Sequence, residues 1–365
     1  MLGFLVYAFS DLTVSGLIGY TNYIMPSLTP RSVQFGVRIP PDRIGDNTIV
    51  SLTRKFRLEI IVVTAMIMVI AMVLAFNLGT DAPLGYSILV ELIAAWTTYY
   101  ITRRKLRSVK IRMGWTKGYV QKIPAPASRI QYNSHMRSFM IIPPVMVIAL
   151  TAIAALVFYP SIPSKIPIVF SGDIPVKFVT KSLATVMIPI YYQLFILGAM
   201  AMTFLIYRRV RIEPEYPDLN TSALRQLELR SRLYLSISIL ISFMDVGFLI
   251  SGMADWELIP GIGSELSILP TMFGLIAMVY VISDSVNKIH KVYPEENTIP
   301  ENFPRVMNRD DDRFWKMGFI YFNRDDPALM VPKRFGIGYT INMGNSISWA
   351  ASAIIGIALA IAFMV

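Results

Sequence analysis

Apolar runs of about 20 residues recur along the chain between polar, mostly basic segments, and a helix of that length can cross a hydrocarbon core about 30 Å thick. The runs are Met1–Ile24, Leu58–Gly79, Gly85–Thr102, Ser138–Pro160, Leu183–Tyr207, Leu233–Ala254, Leu266–Asn287 and Gly344–Val365. They predict an all-α integral membrane protein that forms an eight-helix transmembrane bundle.

The segments that join these runs differ sharply in their content of basic residues. Of the 34 Lys and Arg residues, 31 lie in the segments 25–57, 103–137, 208–232 and 288–334. The other three are Lys165, Lys177 and Lys181. Cytoplasmic segments of membrane proteins collect Lys and Arg, so the pattern predicts that these four segments lie inside and that both termini lie outside.

The composition agrees with a multi-pass protein of the cell membrane. Hydrophobic residues make up 54% of the chain and charged residues 16%, whereas an ordinary soluble domain has about 25% charged residues. The net charge of +10 follows from inner segments that face anionic lipid head groups. We therefore expect the bilayer as a partner and no nucleic acid, and we interpret the basic run 103–112 as a juxtamembrane anchor.

The apolar runs divide the chain into three parts. Residues 1–287 are expected to contain the first seven helices and their loops, residues 288–343 a short cytoplasmic segment, and residues 344–365 the eighth helix. In the outer loop 161–182 and just before it, prolines keep the chain extended, and a Ser-Gly-Asp turn at residues 171–173 separates two β-rich runs. This loop is therefore predicted to form a small hairpin outside the membrane.

Three sequence motifs carry a resemblance to a known family. They are GVRIP at Gly36–Pro40, IPSKIPIVFSGDIPVKF at Ile162–Phe178, and the long stretch DDRFWKMGFIYFNRDDPALMVPKRFGIGYTINMGN at Asp311–Asn345. Together with the helix layout, they resemble the SdpI-like membrane family of prokaryotes. The outer loop departs from the family pattern, because Ile168–Ser171 replace a sequence of the His-Phe-Asn type.

The resemblance implies a receptor, immunity or signal-relay type of binding role. The best-understood members of that family are immunity proteins against a secreted toxic peptide, and they also relay a signal to a cytoplasmic repressor. By this resemblance the outer loop would face a peptide or envelope ligand, and the basic inner loops would face a cytoplasmic partner. Asp173 and Lys177 of the outer loop are the corresponding candidate ligand-binding residues.

Acidic residues within the apolar runs are a second set of candidates, because a charge at the bilayer centre costs at least about 2.5 kcal/mol. Asp11, Glu91 and Asp245 lie in the first, third and sixth predicted helices. Ser238 and Ser242 share a helix face with Asp245. The acids could form a proton or cation relay, or they could be hydrogen-bonded pins between helices.

Gln193 is the remaining candidate, in the fifth predicted helix, where it could line a central cavity. Pro189 precedes it, and a proline in a spanning helix often marks a kink. The same argument predicts a kink at Pro143 and Pro144 in the fourth helix.

Other chemistries find little support in the sequence. The chain has no cysteine, which excludes disulfides and thiolate chemistry. His135 and His290 lack a second ligand at a metal-site spacing, and Asp310–Asp312 lack the alternation of a calcium loop. We interpret the three aspartates as a solvated charged turn and expect no cofactor, no metal and no enzymatic activity.

Three functional hypotheses therefore remain. The first is a receptor, immunity or signal-relay protein that binds an external peptide and a cytoplasmic or membrane partner. The second is a proton- or cation-coupled transporter that uses the intramembrane acids. The third is an accessory subunit of a larger membrane complex.

Overall fold

The computed structural model describes most of the chain. The described residues are 2–80, 82–123, 139–171, 174–209, 212–216, 218–259, 264–292, 305–336, 338–350 and 353.

The described part of the chain is mostly helical. The helices are α1 (Leu2–Leu28), α2 (Asn47–Leu78), α3 (Ala82–Arg112), α4 (Ile142–Val157), the single turn α5 (Leu183–Val186), α6 (Ile188–Arg209), α7 (Leu219–Asp255) and α8 (Ile268–Val292). Within the described residues, six helical segments are long and apolar enough to span a membrane, namely those containing α2, α3, α4, α6, α7 and α8. The chain therefore has the character of a membrane-embedded protein.

The predicted count of eight spanning helices is only partly supported. α1 covers the first apolar run but is not among the six candidate spans. Of the predicted last helix, residues 346–350 and 353 are helical, and the remainder of 351–365 lies outside the described residues.

Several helices begin or end well beyond the apolar run that predicted them. α2 begins at Asn47, eleven residues before Leu58, and α7 begins at Leu219, fourteen before Leu233. Each of these polar starts is capped by an aspartate: Asp46 accepts a hydrogen bond from the Thr48 amide at 2.8 Å, and Asp218 from the Thr221 amide at 3.0 Å. Capping satisfies free amides of the first turn, so these helices extend past the hydrophobic segment.

Prolines lie in the first turn of both helices where kinks were predicted. The predicted fifth helix is interrupted at Met187, so that α5 and α6 are separate and Pro189 lies in the first turn of α6. Pro143 and Pro144 also lie in a first turn, that of α4. First-turn amides need no helical acceptor, so this pair lies at the start of α4, directly after the 3₁₀ turn Phe139–Ile141.

The helices pack as two groups joined by α8. α1, α2 and α3 contact one another, and α4, α6 and α7 form the second group. α8 packs along α7 and also against α1.

Two strands form the predicted outer hairpin. β4 (Lys165–Ser171) pairs antiparallel with β5 (Ile174–Thr180). The hairpin follows α4, and its buried residues join one apolar cluster with α4, α6 and Trp256, the residue after α7. We call this side of the molecule the hairpin end.

The basic segments that the structure describes meet at the opposite side, which we call the basic end. Eight short strands lie there, in four two-stranded sheets: β1 (Val33–Gln34), β2 (Val37–Arg38), β3 (Val120–Lys122), β6 (Val306–Asn308), β7 (Trp315–Lys316), β8 (Ile320–Tyr321), β9 (Met330–Pro332) and β10 (Tyr339–Ile341). β3 and β6 pair in parallel and so join the segment after α3 to the segment 305–343. The segment after α8 therefore folds onto the loops that precede α2 and follow α3.

Candidate functional site

Gln193 and Asp245 lie together in the second helix group. Gln193 is fully buried, and its amide nitrogen donates to Thr151 Oγ1 of α4 at 2.9 Å and to the Asp245 carbonyl of α7 at 2.8 Å. Asp245 is also fully buried, and neither carboxylate oxygen has a hydrogen-bond partner in the described part of the chain. A carboxyl in this position is expensive and is a functional candidate by default.

The serines on the same helix do not supply the missing partners. The Ser238 hydroxyl donates to the Met140 carbonyl, and the Ser242 hydroxyl donates to the Ser238 carbonyl at 2.8 Å. Both hydroxyls therefore bond to backbone oxygens rather than to Asp245.

Glu91 occupies a different position, in the first helix group. It is buried on α3 and accepts a hydrogen bond from Thr64 Oγ1 of α2 at 2.8 Å. One turn earlier, Ser87 lies 3.5 Å from Ser15 of α1, and Asp11 is half-buried one turn before Ser15. These contacts join three helices, as the interhelical-pin hypothesis requires. Glu91 and Asp245 thus belong to separate helix groups.

The hairpin presents an exposed apolar face. Val176 and Phe178 alternate on β5 and are 59% and 49% exposed, whereas Val179 on the other face packs against the buried cluster. Lys177 lies between them and is exposed. Asp173 lies outside the described residues.

The other two lysines of this loop differ from each other. Lys181 donates to the Ile162 carbonyl at 2.7 Å, and its Nζ lies 4.7 Å from the centre of the Tyr159 ring. Lys165 at the start of β4 is exposed. Lys181 therefore fixes the base of the hairpin, whereas Lys165 and Lys177 are exposed cations.

A buried cluster of charges at the basic end was not predicted from the sequence. Lys110 Nζ lies 2.6 Å from Asp310 Oδ2 and 2.7 Å from Asp312 Oδ2. Asp312 Oδ1 accepts from Arg334 Nη1 at 2.9 Å and from the Arg38 amide at 3.0 Å. Four of these residues, all except Asp310, are less than a tenth exposed. The interpretation of the aspartates as a solvated turn is therefore wrong, as is the lipid-facing role predicted for Lys110.

The two carboxylates that share Lys110 differ in proton affinity. Burial alone would raise the pKa of Asp310, but the charge and hydrogen bond of Lys110 outweigh it and hold the pKa below its usual range. Burial raises the pKa of Asp312 despite the attraction of Lys110, and the neighbouring Asp310 charge adds to that rise. Of the two carboxyls, Asp310 therefore loses its proton at the lower pH.

Arg103 joins the GVRIP turn to the segment after α8. Its guanidinium donates to the carbonyls of Phe35 and Gly36, and at 3.3 Å to that of Trp315. Gly36 has φ +72°, and a Cβ on it would lie 2.5 Å from Arg103 Nη1. Glycine is required here by both conformation and space. Arg103 is therefore buried within the protein, although a lipid-facing anchor was predicted.

Asn342 organises the end of the long C-terminal motif. It is fully buried, and its side-chain amide donates to the carbonyls of Asn323, Asp326 and Ala328 at 2.9–3.2 Å. Its oxygen accepts from the amides of Asn323 at 3.1 Å and Gly344 at 2.9 Å. One side chain thus closes the loop between β8 and β9.

α7 connects the hairpin end with the basic end. Its 37 residues extend about 55 Å at 1.5 Å per residue. It contacts β4 near its C-terminus, and Asp245 lies within it. Near its N-terminus, Arg230 donates to the Tyr339 hydroxyl of β10. The hairpin, the Gln193–Asp245 contact and β10 of the basic end are therefore all connected to α7.

The comparisons with known proteins match only the C-terminal motif. A model described as "Family of unknown function (DUF5808)" matches residues 324–349, which include Arg334, Tyr339 and Asn342. No curated protein and no solved structure matches the chain. The resemblance to SdpI-like proteins remains an expectation, and the comparisons identify a segment similar to a family without a known function.

Proposed function

We propose that this chain is a receptor or signal-relay protein of the cell membrane, with a binding rather than a catalytic role. In this proposal it is an eight-helix multi-pass protein with both termini and the hairpin outside and the basic end inside. The observation that carries the proposal is the continuity of α7, which contacts the hairpin strand β4 at one end and Tyr339 of β10 at the other. The resemblance to SdpI-like proteins motivates the same assignment.

The hairpin has features suited to an extended peptide or envelope ligand. Val176 and Phe178 provide an exposed apolar face, and Lys177 adds a positive charge. Ile166 of β4 is buried in one apolar cluster with Ile162 and Trp256, the residue after α7. A ligand that shifts the hairpin would therefore displace the C-terminal end of α7 through these contacts.

The receiving side is a cavity of about 140 Å³ at the basic end, lined by residues of α1, α7, α8 and the β9–β10 pair. Arg230, Tyr339 and Lys333 line it. A displacement of α7 would change the Arg230–Tyr339 contact and the surface that β9 and β10 present to a cytoplasmic partner.

Crosslinking tests the ligand-binding part of the proposal. A photo-crosslinking residue at Phe178 of the full chain, in living cells, should capture a discrete peptide or envelope protein. The same residue at Tyr86, which is 68% exposed at the N-terminal part of α3, is the matched control. Identical products from both positions, or none from Phe178, would count against the hairpin as a ligand site.

Labelling tests the relay. In a Lys333→Cys variant, addition of the captured ligand should change the rate of maleimide modification at the cavity. The rate in a Lys105→Cys variant, at an exposed site on α3, should stay the same. An unchanged rate at position 333 under saturating ligand would contradict signal transmission through α7.

One observation favours a second candidate function, a proton- or cation-coupled transporter. The two carboxylate oxygens of Asp245 lack hydrogen-bond partners among the described residues while the side chain is fully buried. Reconstituted vesicles should then show ion-dependent flux that Asp245→Asn abolishes and Ser242→Ala preserves. Equal flux in vesicles with the native chain, with Asp245→Asn and with no protein would remove this candidate.

A further inference from the structure

A groove between α1 and α2 consists of two cavities in line. The cavity at the basic end has a volume of about 1330 Å³, and the second has about 340 Å³. Tyr23 and Ile61 line both, so the two cavities are contiguous along the helices. The groove thus runs from the polar start of α2 into its apolar part.

The wider cavity is electropositive. Four arginines (Arg31, Arg43, Arg54 and Arg57) and two aspartates (Asp42 and Asp46) line it. Arg43 lies 3.6 Å from Asp42 and 3.9 Å from Asp46, so the acids are engaged locally. With four arginines against two carboxylates, the lining of the wider cavity carries a net charge of +2.

Arg57 is held in place at the junction of the two cavities. Its Nη2 donates to Ser27 Oγ at 2.6 Å, and its guanidinium lies 5.2 Å from the centre of the Tyr23 ring. Arg54, one turn earlier on α2, is exposed. Two guanidinium groups on one helix face therefore border the wider cavity. A guanidinium group suits phosphate binding because its planar donors match the geometry of the phosphate oxygens.

The narrower cavity is apolar and open to the side. Tyr20, Ala65 and Met68 line it together with Gly19 and Thr64, which lie so close that a Cβ on Gly19 would be 2.6 Å from Thr64 Oγ1. Ile61 is 52% exposed, and Ala65 is exposed as well. From Ile60 to Leu78, α2 carries no charged residue, so this part of the groove faces hydrocarbon.

We propose that the groove binds one anionic phospholipid, with its phosphate at Arg54 and Arg57 and one acyl chain along the narrower cavity. The positive charge selects an anionic head group over a zwitterionic one. The apolar extension distinguishes a lipid from a soluble phosphate, which would leave that cavity unfilled. This site is separate from the hairpin and from α7, so it does not depend on the proposed signalling role.

Native mass spectrometry of the purified full chain tests the head-group contacts. With phosphatidylglycerol added, we expect one retained lipid per chain, and much weaker retention of phosphatidylcholine. Arg54→Gln combined with Arg57→Gln should lower phosphatidylglycerol affinity by about 30-fold, because each cation near anionic head groups contributes about 1 kcal/mol and a tenfold change corresponds to about 1.4 kcal/mol. Lys105→Gln combined with Arg107→Gln removes two exposed cations from the part of α3 that lies at the basic end. This control variant should have the same affinity for phosphatidylglycerol as the native chain.

A second pair of variants tests the acyl-chain contact without changing charge. Ala65→Trp fills the narrower cavity and should abolish the retained lipid, whereas Met66→Trp, at a neighbouring position that is 55% exposed, should not. The proposal would be overturned by equal retention of both lipids or by full retention in Ala65→Trp. Equal effects of the Arg54/Arg57 and Lys105/Arg107 double variants would overturn it as well.

Discussion

Gly36 shows how one residue can decide the packing of the basic end. Its φ of +72° places it in a region that L-residues avoid, and an added Cβ would collide with Arg103 and with the Tyr99 hydroxyl. We expect Gly36→Ala to lower the free energy of unfolding by at least about 1 kcal/mol from the backbone alone, with the collision adding to it. Thermal unfolding of the purified chain in detergent measures the change.

Gly45 provides the matched control for that substitution. It lies in the same inner loop, has no positive φ, and has open space where a Cβ would be. Gly45→Ala should leave the melting temperature nearly unchanged. Equal destabilisation by both variants would mean that Gly36 has no special role.

The ion pair between Asp310 and Lys110 should make a pH-dependent contribution to the free energy of unfolding. Its pKa in the folded chain lies below the ordinary value, which is about 3.9 for an unfolded aspartate. The folded state therefore holds fewer protons, so the contribution is complete above that value and is lost as the pH falls through the folded pKa. Asp310→Asn should lower the melting temperature at pH 7, and the difference from the native chain should shrink below about pH 4.

Asp325→Asn is the control for the pH series, because Asp325 is an exposed carboxylate in the same segment. Its melting temperature should follow that of the native chain at each pH. A difference between Asp310→Asn and the native chain that stays constant from pH 7 to pH 3 would contradict the assigned role of the Lys110 pair.

The charged cluster marks the limit of prediction at the residue scale. Asp312 contacts Lys110, 202 residues away in sequence, and Arg38, 274 residues away. Each of these residues lies in a polar segment, where a charged side chain is normally solvated. The GVRIP and DDRFW motifs carry the family resemblance, but nothing in their spacing indicates that Arg38 and Asp312 meet.

At the scale of elements, hydropathy predicted where helices lie but not where they begin. The apolar runs from Leu58 and Leu233 fall inside α2 and α7, whose polar first turns depend on Asp46 and Asp218 as caps. The hairpin was predicted correctly because its prolines and turn residues act locally. Gln193 and Asp245 were both chosen from the sequence, yet their contact depends on how α4, α6 and α7 pack.

Gln193 tests that packing. Its two hydrogen bonds join α6 to α4 and α7 within the apolar core of the second helix group. We expect Gln193→Leu to reduce the free energy of unfolding by about 1–2 kcal/mol, the magnitude found for hydrogen bonds between membrane helices. Tyr191→Leu, at a position that is 54% exposed, should have a smaller effect. A Gln193→Leu variant as stable as Tyr191→Leu would show that the two hydrogen bonds contribute nothing measurable.

At the scale of the whole molecule, the hairpin and the charged cluster lie on opposite sides of one apolar bundle. The distribution of Lys and Arg predicts that the cluster lies in the cytoplasm and the hairpin outside. The chain contains no cysteine, so a single introduced thiol reports its own position without a background. Lys177 in the hairpin and Lys316 in β7 are both exposed, and they lie on the two sides.

We expect a membrane-impermeant maleimide to label Lys177→Cys in intact cells and to label Lys316→Cys only after the cells are permeabilised. Both lysines are replaced by the same residue in exposed strands, so differences in thiol reactivity should be small. The cysteine-free parent chain should remain unlabelled throughout. The reverse pattern would place the hairpin inside. It would then contradict the proposal of an external ligand, the proposed direction of signalling through α7 and the predicted cytoplasmic location of the four basic segments.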